Sequence, residues 1–80
     1  MRILNEDSNK SIKNALLLLT VQEARELRDD LERLISQKIF NDHSHINDLD
    51  YEHELTIALY NPDNIEEFNE RIKKLISYDE

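Results

Sequence analysis

Three histidines and a group of carboxylates crowd between Asp42 and Glu54, and these side chains have the most chemistry to offer in the chain. His43, His45 and His53, with Asp42, Asp48, Asp50, Glu52 and Glu54, supply the imidazole and carboxylate donors that zinc, nickel or copper accept. In extended backbone a His-x-His pair places both rings on one face, where two nitrogens reach one ion. The spacing matches no dedicated zinc motif, and the chain has no cysteine, so a thiolate site is excluded. A divalent metal on His43, His45 and His53 is therefore the alternative reading. The simpler arrangement is two surface histidines and one half-buried histidine hydrogen-bonded near a sheet edge. Asn47-Asp48-Leu49-Asp50 lacks the glycine and the distal glutamate of a calcium loop.

The same histidines could act as general bases beside a carboxylate. The hydroxyls available as nucleophiles are Ser8, Ser11, Ser36, Ser44, Thr56 and Ser77, and none sits in an elbow or an oxyanion-forming turn. Glycine is absent, which removes phosphate-cradling loops and limits how a small chain could shape a deep pocket. No catalytic residue, no cofactor and no enzyme activity are expected.

The charge map points elsewhere. The chain carries 18 acids against 10 bases, a net charge of −8. The imbalance is local: from Ile39 to Glu70 there is no lysine or arginine, whereas Asp42, Asp48, Asp50, Glu52, Glu54, Asp63, Glu66, Glu67 and Glu70 all fall there. Phosphate binding needs cations, so direct nucleic-acid binding is not expected. An acidic face favours a basic protein partner and fast, salt-sensitive association. The same charge would also serve simple solubility. Asp42, Asp48, Asp50, Glu52, Glu54, Glu66, Glu67 and Glu70 are the candidate partner contacts, with Tyr51 and Tyr60 as aromatic anchors. Histidines among carboxylates should also bind protons more readily, so the patch should lose negative charge as pH falls through the histidine range.

The elements that must position these groups follow from periodicity. From Tyr51 to Tyr60 the residues alternate, with Tyr51, His53, Leu55, Ile57 and Leu59 on the buried side of a strand. Asn61-Pro62-Asp63-Asn64 stops it. Asp42–Ile46 could fold back on this strand as a hairpin, in either of two registers one residue apart, and a slip of one swaps the faces. Thr20-Val21-Gln22-Glu23 reads as a capping box, which starts a helix of about Val21 to Gln37 with Ala24, Leu27, Leu31, Leu34 and Ile35 on one stripe. That boundary assigns Ile12–Leu19 to a strand, with one long helix from Ser11 to Gln37 as the rival. Met1–Glu6 reads as an edge strand, and Asp7-Ser8-Asn9-Lys10 as a turn. A second helix is expected over about Ile65 to Ser77, capped by Asn64, with Ile65, Phe68, Ile72, Leu75 and Ile76 facing inward.

Eighty residues suit one domain over 1–80. The order strand, strand, helix, short strand, strand, helix predicts an α+β fold: a small two-layer sandwich with two helices on one face of a 3–4 stranded sheet. The longest apolar run, Ala15–Leu19, is far too short to span a bilayer, and the N-terminus does not read as a signal peptide. A soluble, cytoplasmic protein with no membrane association is expected. The apolar sheet face left bare by two helices on one side calls for a homodimer. Together these features describe a small acidic protein-binding module. Its sharpest version is an inhibitor, or an antitoxin- or immunity-like protein, that blocks a basic surface of its partner.

Overall fold

In chain order the elements are β1 (Ile3–Asn5), β2 (Lys10–Ile12), α1 (Val21–Gln37), β3 (His43–Asn47), β4 (Glu54–Ala58) and α2 (Glu70–Tyr78). The computed structural model describes residues 1–38 and 43–80. The class is α+β, and the element order is the one the sequence predicts. The strands pair as two separate two-stranded antiparallel sheets, β1 with β2 and β3 with β4. The chain divides into two compact units, one of Met1–Leu17 and Pro62–Glu80, the other of Leu18–Asn61.

In the first unit β1 and β2 form a short hairpin with Ile3 opposite Ile12 and Asn5 opposite Lys10. The Asn5 side chain accepts from the backbone N–H groups of Asp7 and Ser8 at 3.0 and 3.2 Å, and Asn9 takes the left-handed conformation that closes the turn. The expected strand over Ile12–Leu19 is not formed. With Ile3 opposite Ile12, the partner strand has only Met1 and Arg2 left to offer, so a strand continuing beyond Ile12 would have almost nothing to pair with. Residues 14–20 have no regular structure, and Leu16 to Leu19 are exposed, which also excludes the long-helix rival.

α2 begins at Glu70, five residues later than predicted. Asn69 is its N-cap and accepts from the Ile72 N–H at 2.9 Å, while Asn64 closes only a local turn onto Glu66. Leu75 is buried, with Ile72 and Ile76 half-buried beside it. The Arg2 side chain donates to the carbonyls of Leu75 and Ile76 at 3.0 and 3.1 Å; the first also accepts the Asp79 N–H, and the second is an acceptor that the helix end leaves open. Ser11 donates to the Asp79 carbonyl at 3.0 Å, Lys13 pairs with the Asp79 carboxylate, and Arg71 donates to the Asn9 side chain and carbonyl. The hairpin is thus tied to both ends of α2 by side-chain to backbone bonds.

In the second unit α1 starts as predicted. The Thr20 hydroxyl accepts from the Glu23 N–H at 3.2 Å, and the Glu23 carboxylate accepts from the Thr20 N–H at 2.9 Å. Lys38 ends the helix in the left-handed region. The predicted stripe divides. Leu34 is fully buried, Leu27 is half-buried, and Leu31 and Ile35 are left exposed. Ile46 and Ser44, on the inward side of β3, are the other buried residues among those described in this unit, and Arg33 of α1 donates to the Ser44 hydroxyl.

Candidate functional site

The β3–β4 hairpin gathers most of the residues that the sequence singles out. Its register sets His43 opposite Ala58, His45 opposite Thr56, Ile46 opposite Leu55 and Asn47 opposite Glu54. Residues directly opposite share a face, so His43, His45, Glu54 and Thr56 lie on the outward side, and Ser44, Ile46, Leu55 and Ile57 on the inward side. Neither register expected from the sequence, Ile46 opposite Tyr51 or His45 opposite Tyr51, is used. β4 starts at Glu54, so Tyr51, Glu52 and His53 belong to the connecting loop, and Tyr51 is not on the buried side.

Asp48 organises that loop. One carboxylate oxygen accepts from the backbone N–H groups of Glu52 and His53 at 2.9 and 3.3 Å, and the other meets His53 Nδ1 at 2.6 Å. The backbone adds Asp48 N–H to the His53 carbonyl at 3.3 Å and Tyr51 N–H to the Asp48 carbonyl at 3.1 Å. Tyr51 is left-handed, with φ of 55°. A tyrosine pays a steric penalty there that surrounding hydrogen bonds must hold in place. The hydrogen bond from the His53 side chain, with help from the two backbone donors, keeps the Asp48 carboxyl below its usual value. The same bond, reinforced by the charges of Asp48, Glu52 and Glu23, raises His53 above the ordinary histidine value.

At the tip Leu49 is 97% exposed and Tyr51 81% exposed, flanked by Asp50 and Glu52. Leu49 was not singled out by the sequence. Its signal was available: an apolar residue inside an Asn-Asp-x-Asp turn has no strand or helix to bury it.

On the outward face His45 Nδ1 contacts both the Glu54 carboxylate and the Thr56 hydroxyl, the latter at 3.0 Å. A nucleophile relay uses both ring nitrogens, one toward the hydroxyl and one toward the carboxylate. Here both partners meet the same nitrogen, so the trio is not arranged as such a relay. His43 packs edge-on against His45, with ring centroids 4.6 Å apart. His53 is held apart by Asp48, and among the described residues no three histidine or acidic side chains gather as metal ligands. Asp42 lies outside the described residues.

The remaining predicted contacts divide between the units. Asp48, Asp50, Tyr51, Glu52, Glu54 and Tyr60 belong to Leu18–Asn61, whereas Glu66, Glu67 and Glu70 belong to the other unit. Glu66 and Glu70 lie 3.8 and 3.7 Å from Lys73, which offsets part of their charge. No helix among the described residues is long and apolar enough to cross a membrane. No protein-family model, no curated protein and no solved structure matches this chain.

Proposed function

We propose that the chain is a small acidic protein-binding module that presents the Asp48–His53 loop to a basic surface of a partner protein, as an inhibitor or immunity-like protein would. The observation that carries this reading is the pairing of two exposed apolar side chains, Leu49 and Tyr51, with two acids, Asp50 and Glu52, on a loop held by Asp48. A tyrosine offers large contact area at small entropic cost, and flanking acids steer a basic partner and fix its register. A loop already held by hydrogen bonds gives up less freedom on binding. Asp48 itself is engaged with His53, so the direct contacts reduce to Leu49, Asp50, Tyr51 and Glu52.

The test is capture from host lysate at low and moderate salt, with the wild type compared against Asp50→Lys/Glu52→Lys and Leu49→Ser/Tyr51→Ser. The reading expects one basic protein, held at low salt, released at higher salt and lost with either double variant. Capture that ignores both double variants would overturn it. The neighbouring His43 and His45 rings carry a second reading, a divalent metal on the outward face of the hairpin. It expects zinc or nickel to raise the melting temperature and His43→Ala/His45→Ala to abolish the effect. An unchanged melting curve sinks it.

A further inference from the structure

α1 has two apolar sides, and the hairpin covers one. Leu34 is buried, and Leu27 is half-buried at the margin where the covered side meets the open groove. The second side runs through Val21, Ala24, Arg28, Leu31 and Ile35, at steps of three and four residues, the spacing of a helix–helix seam. Val21 is 69% exposed, Leu31 37% and Ile35 61%. An open groove of about 520 Å³ follows this side, edged by Arg28 and Glu32.

We propose that two copies of the chain pair through this side of α1, with the helices antiparallel and the two-fold axis between Arg28 and Leu31. The pattern is self-complementary in that direction. Ala24, the smallest seam residue, comes opposite Ile35 of the second copy, so small meets large there, and Arg28 comes opposite Leu31, where its aliphatic stem can lie along the leucine. The Arg28 guanidinium then reaches Glu32 of the second copy, and the symmetry makes this pair twice. A parallel pairing would set Arg28 on Arg28 and Glu32 on Glu32. Among the described residues of one chain, Arg28 pairs with the adjacent Asp29 and Glu32 has no partner.

The same charges argue for a second copy over a basic protein. The seam's edge carries Arg25 and Arg28 in its N-terminal half, which a basic surface would avoid. Two bases and one acid per chain at the pairing edge, Arg25, Arg28 and Glu32, keep the repulsion of a net charge of −8 away from the contact. A helix of 17 residues is only about 25 Å long, so the interface is small and the dimer is a weak, concentration-dependent one.

The experiment is sedimentation velocity on the full chain from about 1 µM to about 1 mM. Mass should rise from one chain to two across that range. Ile35→Asp, at an exposed position, should leave the far-UV circular dichroism unchanged and move the midpoint up at least about tenfold. Arg28→Glu and Glu32→Arg should each weaken pairing, and the double variant should restore it. Because the chain has no cysteine, direction can be read by crosslinking: a mixture of Ala24→Cys and Ile35→Cys chains should form the mixed disulfide and little of either symmetric one. A single-chain mass at the highest concentration, a dimer indifferent to Ile35→Asp, or symmetric crosslinks in place of mixed ones would each overturn the proposal.

Discussion

Leu34→Ala tests the packing of the second unit most directly. Leu34 is 0% exposed on the helix that packs on β3, where Ile46 and Ser44 are buried. The substitution deletes three carbons, and at about 0.8 kcal/mol per buried methylene the transfer loss is about 2.4 kcal/mol. A residual cavity raises the total to about 3 kcal/mol. A chain of 80 residues has roughly 4–12 kcal/mol of stability in all, so the variant should lose a large fraction of it. The structure also predicts a gradient along the helix. Leu31 is 37% exposed and lies on the open side, so Leu31→Ala should cost about 1.5 kcal/mol with no cavity to add. Ile35 is 61% exposed, and Ile35→Ala should cost about 1 kcal/mol or less, since alanine is also the better helix former. Urea unfolding followed by circular dichroism, at low micromolar protein, reads all three from the shift in midpoint at constant slope. Equal costs for Leu34→Ala and Ile35→Ala would mean that α1 turns its other side inward, and the packing described here would be refuted.

Thr20→Ala removes half of the capping box, and the same urea assay should show a loss of about 1 kcal/mol. Arg33→Ala leaves the buried Ser44 hydroxyl without its donor, and a loss of about 1–2 kcal/mol is expected. The Asp48–His53 pair makes the loop sensitive to pH. The contribution of His53, whose folded value is raised, is complete below the unfolded histidine value of 6.5 and fades as pH rises through the folded one. That of Asp48, whose folded value is lowered, is complete above 3.8 and fades as pH falls through the folded one. The pair is therefore strongest between 3.8 and 6.5. An NMR titration of the His53 ring should show the raised value in the wild type and its return toward 6.5 in Asp48→Asn.

Local chemistry was legible in the sequence wherever one short pattern decided the outcome. The Thr20–Glu23 capping box placed the start of α1 because both hydrogen bonds close within a single turn. The alternation from Glu54 to Ala58 gave the right inward and outward faces of β4. The failures came where the outcome depended on a partner distant in sequence. Four leucines in a row suit a buried strand, but a strand needs a neighbour, and β1 is too short to supply one beyond Ile12. Asn64 carries a helix-starting signal, yet the helix starts at Asn69, after which the turns run on unbroken into Leu75 and Ile76. The spacing on α1 predicts one buried side because it records which residues share a side, not how wide the partner surface is.

The hairpin register shows how one such failure bears on the candidate site. Tyr51 and His53 keep the phase of Leu55 and Ile57, so period alone extends the strand back to Tyr51. The regular pairing stops instead at Glu54: the next rung is made only from the Asp48 N–H to the His53 carbonyl, because the Asp48 carboxylate takes the returning His53 N–H together with that of Glu52. That capture turns the chain through the left-handed conformation at Tyr51 and reverses the expected side of its ring. A residue that alternation would bury is therefore 81% exposed next to Leu49. The two apolar groups at the tip and the acids beside them are consequences of one local event, the preference of an aspartate for nearby backbone donors over strand geometry. This links Asp48 to the proposed contact surface, although its own carboxylate faces His53 and not the partner.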